Sequence, residues 1–506
     1  MDVIPVLFYA HHRRGFLYYS RKHNVNNLFR AKILNVAVSD KGVISVIKYE
    51  DFSLKYLQVR KNVIYSHYYD HKSVITLHKM ERKIEAKLIR WMKSRNRQPL
   101  IVQGARQVGK TYSIVAFGKK HFINMLYLNF ESNNELSRVF DRDLLPERII
   151  KELSVLTGEP VIEGKTLLFF DEIQSCSRAL TSLKYFCEEA PGYHVVAAGS
   201  LLGVSINRDN SSYPVGKVDT LNMYPLDFEE FLWVVRGKDA VELIRESFNG
   251  FTQCSLHEMF NDFYRTFIYI GGMPQVVNEY TATGDTPMLD MAKKSINNAF
   301  IADMARYADK TETVRIIAVY ESLPAQLAKE NRKFQYKTIR SGARSADYGA
   351  AVEWLKAAGI VTACRRVSEG RFPVSTWEDP TAFKLYHSDT GLLTGMSGIT
   401  AHEYLARAGD RFRGAIAENS VAVALSSLDY DIYYWESQGR AEVDFIIQKN
   451  GDVIPIEVKS GDNVRSKSLA EYVKRYSPPF SYRVSFKNFG NENNIRSIPF
   501  YALFCV

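Results

Sequence analysis

The stretch LIVQGARQVGKTYSIV, residues 100–115, restricts this chain more than any other. Four mostly apolar residues run into a polar loop bounded by Gly104 and Gly109, and Lys110 and Thr111 follow at the spacing GxxxxGK[ST]. So much bare backbone ahead of a helix has a physical use. Amide N–H groups that have left the strand and not yet joined the helix point at phosphate oxygens, and the helix N-terminus adds partial positive charge. The pattern predicts a buried strand over 100–103, a helix over 110–119, and a phosphate cradle. Its members are Gly104, Ala105, Arg106, Gln107, Val108, Gly109, Lys110, Thr111 and Tyr112. Lys110 is expected to reach the β and γ phosphates of ATP, and the Thr111 hydroxyl to ligate Mg²⁺.

A second motif follows. In TLLFFDE, residues 166–172, a run with the character of a strand buried on both faces ends in two acids. Ligands of open α/β sheets sit at the carboxyl ends of the strands, so Asp171 is expected to serve the Mg²⁺ and Glu172 to act as general base on the attacking water. A third strand, YHVVAA over 193–198, leads to Gly199 and Ser200. The Ser200 hydroxyl is either a γ-phosphate contact or the cap of the next helix. Asn129, at the end of LYLN, is a weaker candidate partner for Glu172.

At 506 residues the chain exceeds one hydrophobic core, so about two to four domains are expected. No window approaches the ~20 consecutive apolar residues of a membrane helix. Arg13 and Arg14 follow the first apolar run instead of preceding it, so no secretory leader is read and a cytoplasmic location is expected. The five cysteines form no CxxC pair, which argues against a disulfide framework or a zinc site. The net charge of +10 is unevenly spread, because residues 1–79 alone hold 13 Lys and Arg against 5 Asp and Glu. That segment is a basic, aromatic arm for nucleic acid or, the preferred reading, an extension ahead of a translation start at Met80.

Strand, loop, helix, acidic strand and polar-ended strand, in that order, resemble the AAA+ ATPases. More specifically LFFDEIQ, AAGS and SSYPVGKVDTLNMYPLDFEEFL resemble a group of bacterial and archaeal AAA-type ATPases with a C-terminal domain of unknown function. The resemblance covers about residues 80–506. Relatives usually carry Arg where Lys217 stands in PVGK, so it puts a trans-acting arginine finger there in doubt. The resemblance implies a ring, and a homo-oligomer or a protein partner is therefore expected. Residues 226–312 are patterned as helices, broken by Gly271, Gly272, Met273 and Pro274, and are expected to form a helical lid. Residues 313–397 have the outline of a winged helix, with Arg340 and Arg344 ahead of its second helix and DNA contact as one of its uses.

The C-terminal end, 398–506, contains AEVDFIIQK, Asn450-Gly451 and DVIPIEVKS, a hairpin signal. With a two-residue turn Lys449 faces Asp452, and Val443, Phe445 and Ile447 pair with Val458, Ile456 and Ile454 on one apolar face. Asp444 then faces Glu457, and Glu442 faces Lys459. Like charges about 4 Å apart cost on the order of 4 kcal/mol at an effective dielectric near 20, so positive charge belongs between the two acids. A divalent metal is the economical candidate. The spacing of Asp444, Glu457 and Lys459, with Glu418 on a preceding helix, resembles the restriction-endonuclease-like nuclease core. That resemblance implies that Glu418, Asp444 and Glu457 bind metal and that Lys459 steadies the water or the transition-state charge. The alternative is an inactive fold used for binding, with Lys459 simply paired to Glu442.

The fold class expected is therefore α/β. An AAA+ P-loop parallel sheet (80–225) precedes the helical lid, the winged-helix segment and a C-terminal α/β restriction-endonuclease-like domain. Expected ligands are ATP and Mg²⁺, with DNA a candidate partner and no membrane. Two functions remain open: an ATPase that positions a metal-dependent nuclease on DNA, and an ATPase switch or scaffold whose C-terminal domain binds a partner without cutting.

Overall fold

The computed structural model describes residues 80–200, 213–405, 410–437, 441–461 and 467–506, together with four strands within the first 79. The chain divides into Met1–Lys79 and Met80–Val506. In the first unit β1 (Ile4–Leu7), β2 (Arg14–Lys22), β3 (Leu28–Val38) and β4 (Ile44–Lys55) pair in sequence as an antiparallel meander. The Tyr- and His-rich run at 65–72 lies outside the described residues.

The second unit opens with a five-stranded parallel sheet. Its strands are β5 (Leu100–Gln103), β6 (Asn124–Asn129), β7 (Thr166–Asp171), β8 (His194–Gly199) and β9 (Asp219–Asn222), in the spatial order β6-β7-β8-β5-β9. All six residues of β7 are buried, as a parallel strand covered on both faces requires. Leu167 and Phe169 share one core cluster with Ile114 and Phe117 of the helix Lys110–His121, while Leu168 and Phe170 share the other with Ile149 and Leu183. Period-two alternation thus feeds both layers, and the strand's own direction delivers Asp171 to the carboxyl edge.

Helices follow over Phe228–Val235, Lys238–Gly250, His257–Ile270, Pro274–Ala282, Thr286–Tyr307 and Lys310–Leu327. The GGMP break now has a physical role. A Cβ on Gly272 would sit 1.9 Å from the Leu226 carbonyl oxygen, and this close approach lets the Leu226 N–H donate to the Gly272 carbonyl at 2.7 Å. The Gly272 N–H in turn donates to the buried Asp389 carboxylate at 2.7 Å. Pro274 then starts the next helix, where a missing N–H costs nothing.

The second sheet has eight strands. These are β10 (Val361–Val367), β11 (Glu378–His387), β12 (Tyr433–Ser437), β13 (Ala441–Lys449), β14 (Asp452–Lys459), β15 (Ser481–Ser485), β16 (Gly490–Glu492) and β17 (Ile495–Pro499). The order is β11-β10-β12-β13-β14-β15-β17-β16. The antiparallel pair β10 and β11 follows the helix Ser345–Ala357, and β10 also pairs in parallel with β12, so this pair continues directly into the C-terminal sheet.

The hairpin register from Lys449↔Asp452 to Phe445↔Ile456 is the one expected from Asn450-Gly451. Beyond Phe445 the expectation fails. Between Tyr433↔Ile446 and Trp435↔Val443 the strand β13 carries an extra residue, a β-bulge. Val443 consequently packs with Trp435, Ile446 and Tyr472, while Phe445 and Ile447 belong to the other core cluster. The ladder to β14 ends there, and the Asp444 carboxylate accepts the Val458 N–H at 2.8 Å. The bulge also turns Glu442 toward Lys384, at 2.7 Å, instead of Lys459, which pairs with Glu457 at 2.6 Å.

Candidate nucleotide-binding site

The loop between β5 and the helix Lys110–His121 bends through three positive-φ residues, Gly104 (φ 150°), Gln107 (φ 66°) and Gly109 (φ 96°). At Gly104 a Cβ would fall 2.1 Å from the Met223 carbonyl oxygen, so only glycine allows the loop to leave the sheet at this point. The buried Lys110 ammonium folds back over the loop and donates to the Gly104 and Ala105 carbonyls, each at 2.9 Å. Burial pulls its pKa down to about 8, against the opposing pull of Glu172 and Asp171.

Arg82 braces the loop from behind. It donates to the Val108 carbonyl at 2.7 Å, to the Tyr224 carbonyl at 2.7 Å and to Glu230 at 3.1 Å, which ties the loop to the strand end and to the helix Phe228–Val235. The sequence offers one faint signal for this residue: a charged position at the mouth of an amphipathic helix that ends up buried.

The acidic side comes from β7. The Thr111 hydroxyl lies 3.0 and 3.3 Å from the two Asp171 oxygens, and the Tyr127 hydroxyl donates to Asp171 at 2.9 Å. Tyr127 is a member the motif reading missed, since it stands mid-strand in LYLN and only the parallel pairing of β6 with β7 brings it near. A threonine hydroxyl beside a carboxylate is an oxygen donor set that suits Mg²⁺.

Glu172 leaves the strand in a left-handed conformation (φ 50°), a strained geometry common where a side chain must be aimed. Its carboxylate accepts from Gln174 at 2.5 Å, and burial followed by the neighbouring Asp171 charge raises its pKa. Asn129 is not its partner. The Asn129 side chain caps the Glu131 and Ser132 N–H groups at 3.0 and 2.9 Å and donates to the Tyr127 hydroxyl at 3.3 Å.

Ser200, buried at the end of β8, lines a cavity of about 470 Å³ together with Gly104, Ala105, Lys356 and Arg365. Lys217 pairs with Glu188 of its own chain at 3.0 Å.

The C-terminal acids are engaged differently. Glu418, on the helix Asp410–Ser427, is buried and accepts from Lys384 at 3.0 Å, from Tyr386 and from Arg332. Lys384, fully buried, bridges Glu418 to Glu442. Glu436, the cross-strand neighbour of Glu442, is paired with Lys333 at 2.5 Å and Arg366 at 3.3 Å. For the facing pair Glu436 and Glu442 the positive charge is supplied by side chains of the chain itself, whereas Asp444 and Glu457 do not pair across the strands as expected: Asp444 accepts the Val458 N–H and Glu457 pairs with Lys459. Among the described residues no group of three or more His, Cys, Asp or Glu is placed to hold a metal ion. No described helix is long and apolar enough to cross a membrane.

Comparison with known proteins agrees with the first of these sites. Residues 261–403 match a "Domain of unknown function (DUF8612)", and residues 413–501 a "Domain of unknown function (DUF4143)". No curated protein matches the sequence. Solved structures with similarity include the Aeropyrum pernix ORC1 protein in complex with DNA, at 12% identity over 65% of this chain and 93% of that one, with a TM-score of 0.27. The Aeropyrum pernix ORC2 protein (ADPNP-ADP complexes) matches at 12% identity over 68% and 95%, with a TM-score of 0.30. Cdc6p from Pyrobaculum aerophilum matches at 10% identity over 68% and 95%, with a TM-score of 0.22. Residues 96–232 match the family model described as an AAA domain, and the phosphate loop, Asp171, Glu172 and Ser200 all lie within it.

Proposed function

We propose that the chain binds ATP on the loop 104–111 and hydrolyses it with Mg²⁺. The observation that carries this is the convergence of Thr111 and Asp171 at 3.0 Å beside a lysine folded onto the same loop. Phosphate oxygens would replace the two carbonyls now held by Lys110. Thr111 and Asp171 would hold Mg²⁺, which when bound neutralises charge on the β and γ phosphates. Glu172 would take a proton from the attacking water as its oxygen bonds the γ-phosphorus and the bond to the ADP oxygen breaks. Ser200 would donate to a γ-phosphate oxygen. Phosphate release by the purified chain, dependent on both ATP and Mg²⁺, tests the reading, and its absence would remove it.

The lysine gives this reading a pH signature. Only the ammonium form holds phosphate, and its folded-state pKa is lowered to about 8, so the free protein loses the proton as pH rises through 8. Bound phosphate pulls that pKa back up. Linkage then weakens ATP binding above pH 8 by up to about tenfold per unit, with little change below pH 7. Calorimetric titration at pH 7, 8 and 9 checks the slope, and a flat profile would contradict it.

For residues 398–506 the internal ion pairs favour binding over cutting. A helical acid, Glu418, precedes Asp444 on β13 and Glu457 with Lys459 on β14, in the order the nuclease resemblance implies. Yet both Glu418 oxygens are committed to Lys384, Tyr386 and Arg332, so these residues do not fit a metal ligand set. We therefore read the protein as an ATPase switch or scaffold whose C-terminal sheet docks a partner, with the nuclease as the second reading. Supercoiled plasmid incubated with the protein, ATP and Mg²⁺ or Mn²⁺ is expected to stay intact. Nicking by the wild type and not by Asp444→Ala would reverse the order of the two.

A further inference from the structure

A second cation sits on the phosphate loop. The guanidinium of Arg106, third residue of the loop, is paired with Asp303, near the end of the 22-residue helix Thr286–Tyr307. The Asp303 side chain is 10% exposed and that of Arg106 40%, so the acid is the buried partner and the arginine the one free to swing. One turn further along the same helix Arg306 pairs with Glu131, on the loop leaving β6. The helix end is thereby fastened to two loops of the nucleotide site.

The helix is also fastened farther back. Asn297 donates to the Leu392 carbonyl at 3.2 Å, and the buried Lys293 pairs with Asp290 at 2.8 Å and lies 3.5 Å from the Thr394 hydroxyl. Those contacts join it to the helix Thr390–Met396, whose N-terminal Asp389 holds Gly272. One rod therefore spans from the phosphate loop to the segment beyond it.

The charges of Arg106 and Asp303 both bear on the Lys110 ammonium, together with those of Asp171 and Glu172. A triphosphate gripped by Lys110 would arrive inside the field of the Asp303 carboxylate. Like charges repel, and a γ-phosphate offers Arg106 a bidentate set of oxygens where the contact with Asp303 uses a single guanidinium nitrogen. We propose that Arg106 and Asp303 form a latch opened by ATP: the guanidinium moves from Asp303 to the γ-phosphate, and Asp303 releases the end of the helix. Arg106 thereby supplies, within one chain, the planar fork that Lys217 lacks. ADP, without a γ-phosphate, leaves the latch shut. This inference rests on the ATP-binding reading above.

Calorimetry on the full chain with a nonhydrolysable ATP analogue and with ADP tests it, using wild type, Asp303→Asn, Arg106→Ala and, as a control, Lys110→Ala. Asp303→Asn is expected to tighten analogue binding about tenfold and to change ADP binding less than twofold. Arg106→Ala should weaken the analogue at least tenfold and erase its preference over ADP, and adding Asp303→Asn to it should recover part of the loss. Hydrogen exchange at 298–307 should quicken in Asp303→Asn without nucleotide and in wild type with the analogue. Unchanged analogue affinity in Asp303→Asn, or an equal gain for ADP, overturns the latch while wild-type binding upholds the nucleotide site. No binding by wild type, or undiminished binding by Lys110→Ala, overturns the nucleotide site and the latch with it.

Discussion

Glu172→Gln is expected to bind ATP as the wild type does and to lose its turnover, with kcat falling roughly 10²–10⁴-fold, the usual worth of a positioned general base. The substitution keeps the volume and can keep a hydrogen bond to Gln174, so the local backbone has no reason to move. What disappears is the carboxylate proposed to take the proton from water. Burial and the Asp171 charge raise the pKa of Glu172, which makes it a better proton acceptor than an exposed glutamate. Steady-state phosphate release beside a binding isotherm separates the two effects. A Gln variant that turns over normally would assign the base elsewhere and leave Glu172 a structural role at the turn.

Lys384→Met is expected to destabilise the second unit by about 3–5 kcal/mol, because removing one partner of a buried ion pair leaves the other charge uncompensated. Lys384 is fully buried and stands between Glu418, itself 1% exposed, and Glu442. Arg332 and Tyr386 remain on Glu418, but Glu442 has no other ion-pair partner among the described residues. Methionine fills similar volume, so cavity formation adds little and the loss reads the charge. Adding Glu442→Gln to Lys384→Met should restore part of it, since the amide needs no counter-ion. Urea unfolding of the wild type, the single and the double variant measures both steps. Equal midpoints for all three would mean that the carboxylates find water or protons readily, and the network would then count for little.

The nucleotide half of the molecule was legible in the residues because its chemistry is local. Gly104, Gly109, Lys110 and Thr111 act through one turn of backbone, and TLLFFDE is a strand whose burial pattern and terminal acids are contiguous. Around them the legible part thins. Arg82, Tyr127 and Asp303 reach the site from 26 residues before Val108 of the loop, a neighbouring strand, and a helix nearly 200 residues on, and no spacing rule connects them. Gly272 was visible as a break but not as a contact, since its reason is the Leu226 carbonyl that meets it from elsewhere.

The C-terminal hairpin draws the line most sharply. Alternating apolar residues and Asn450-Gly451 determined the turn and the register to Phe445↔Ile456, because each depends on neighbours within a few residues, while the expected facing of Asp444 and Glu457 lay beyond that register and did not form. Which cations the acids of this region meet was decided by tertiary structure alone. A one-residue bulge against β12 turned Glu442 toward β11, where Lys384 was already buried, and the helix Asp410–Ser427 laid Glu418 on the same lysine. A pleat reverses a side chain with every single-residue shift, and a shift set by a partner strand leaves no trace in the strand that carries it.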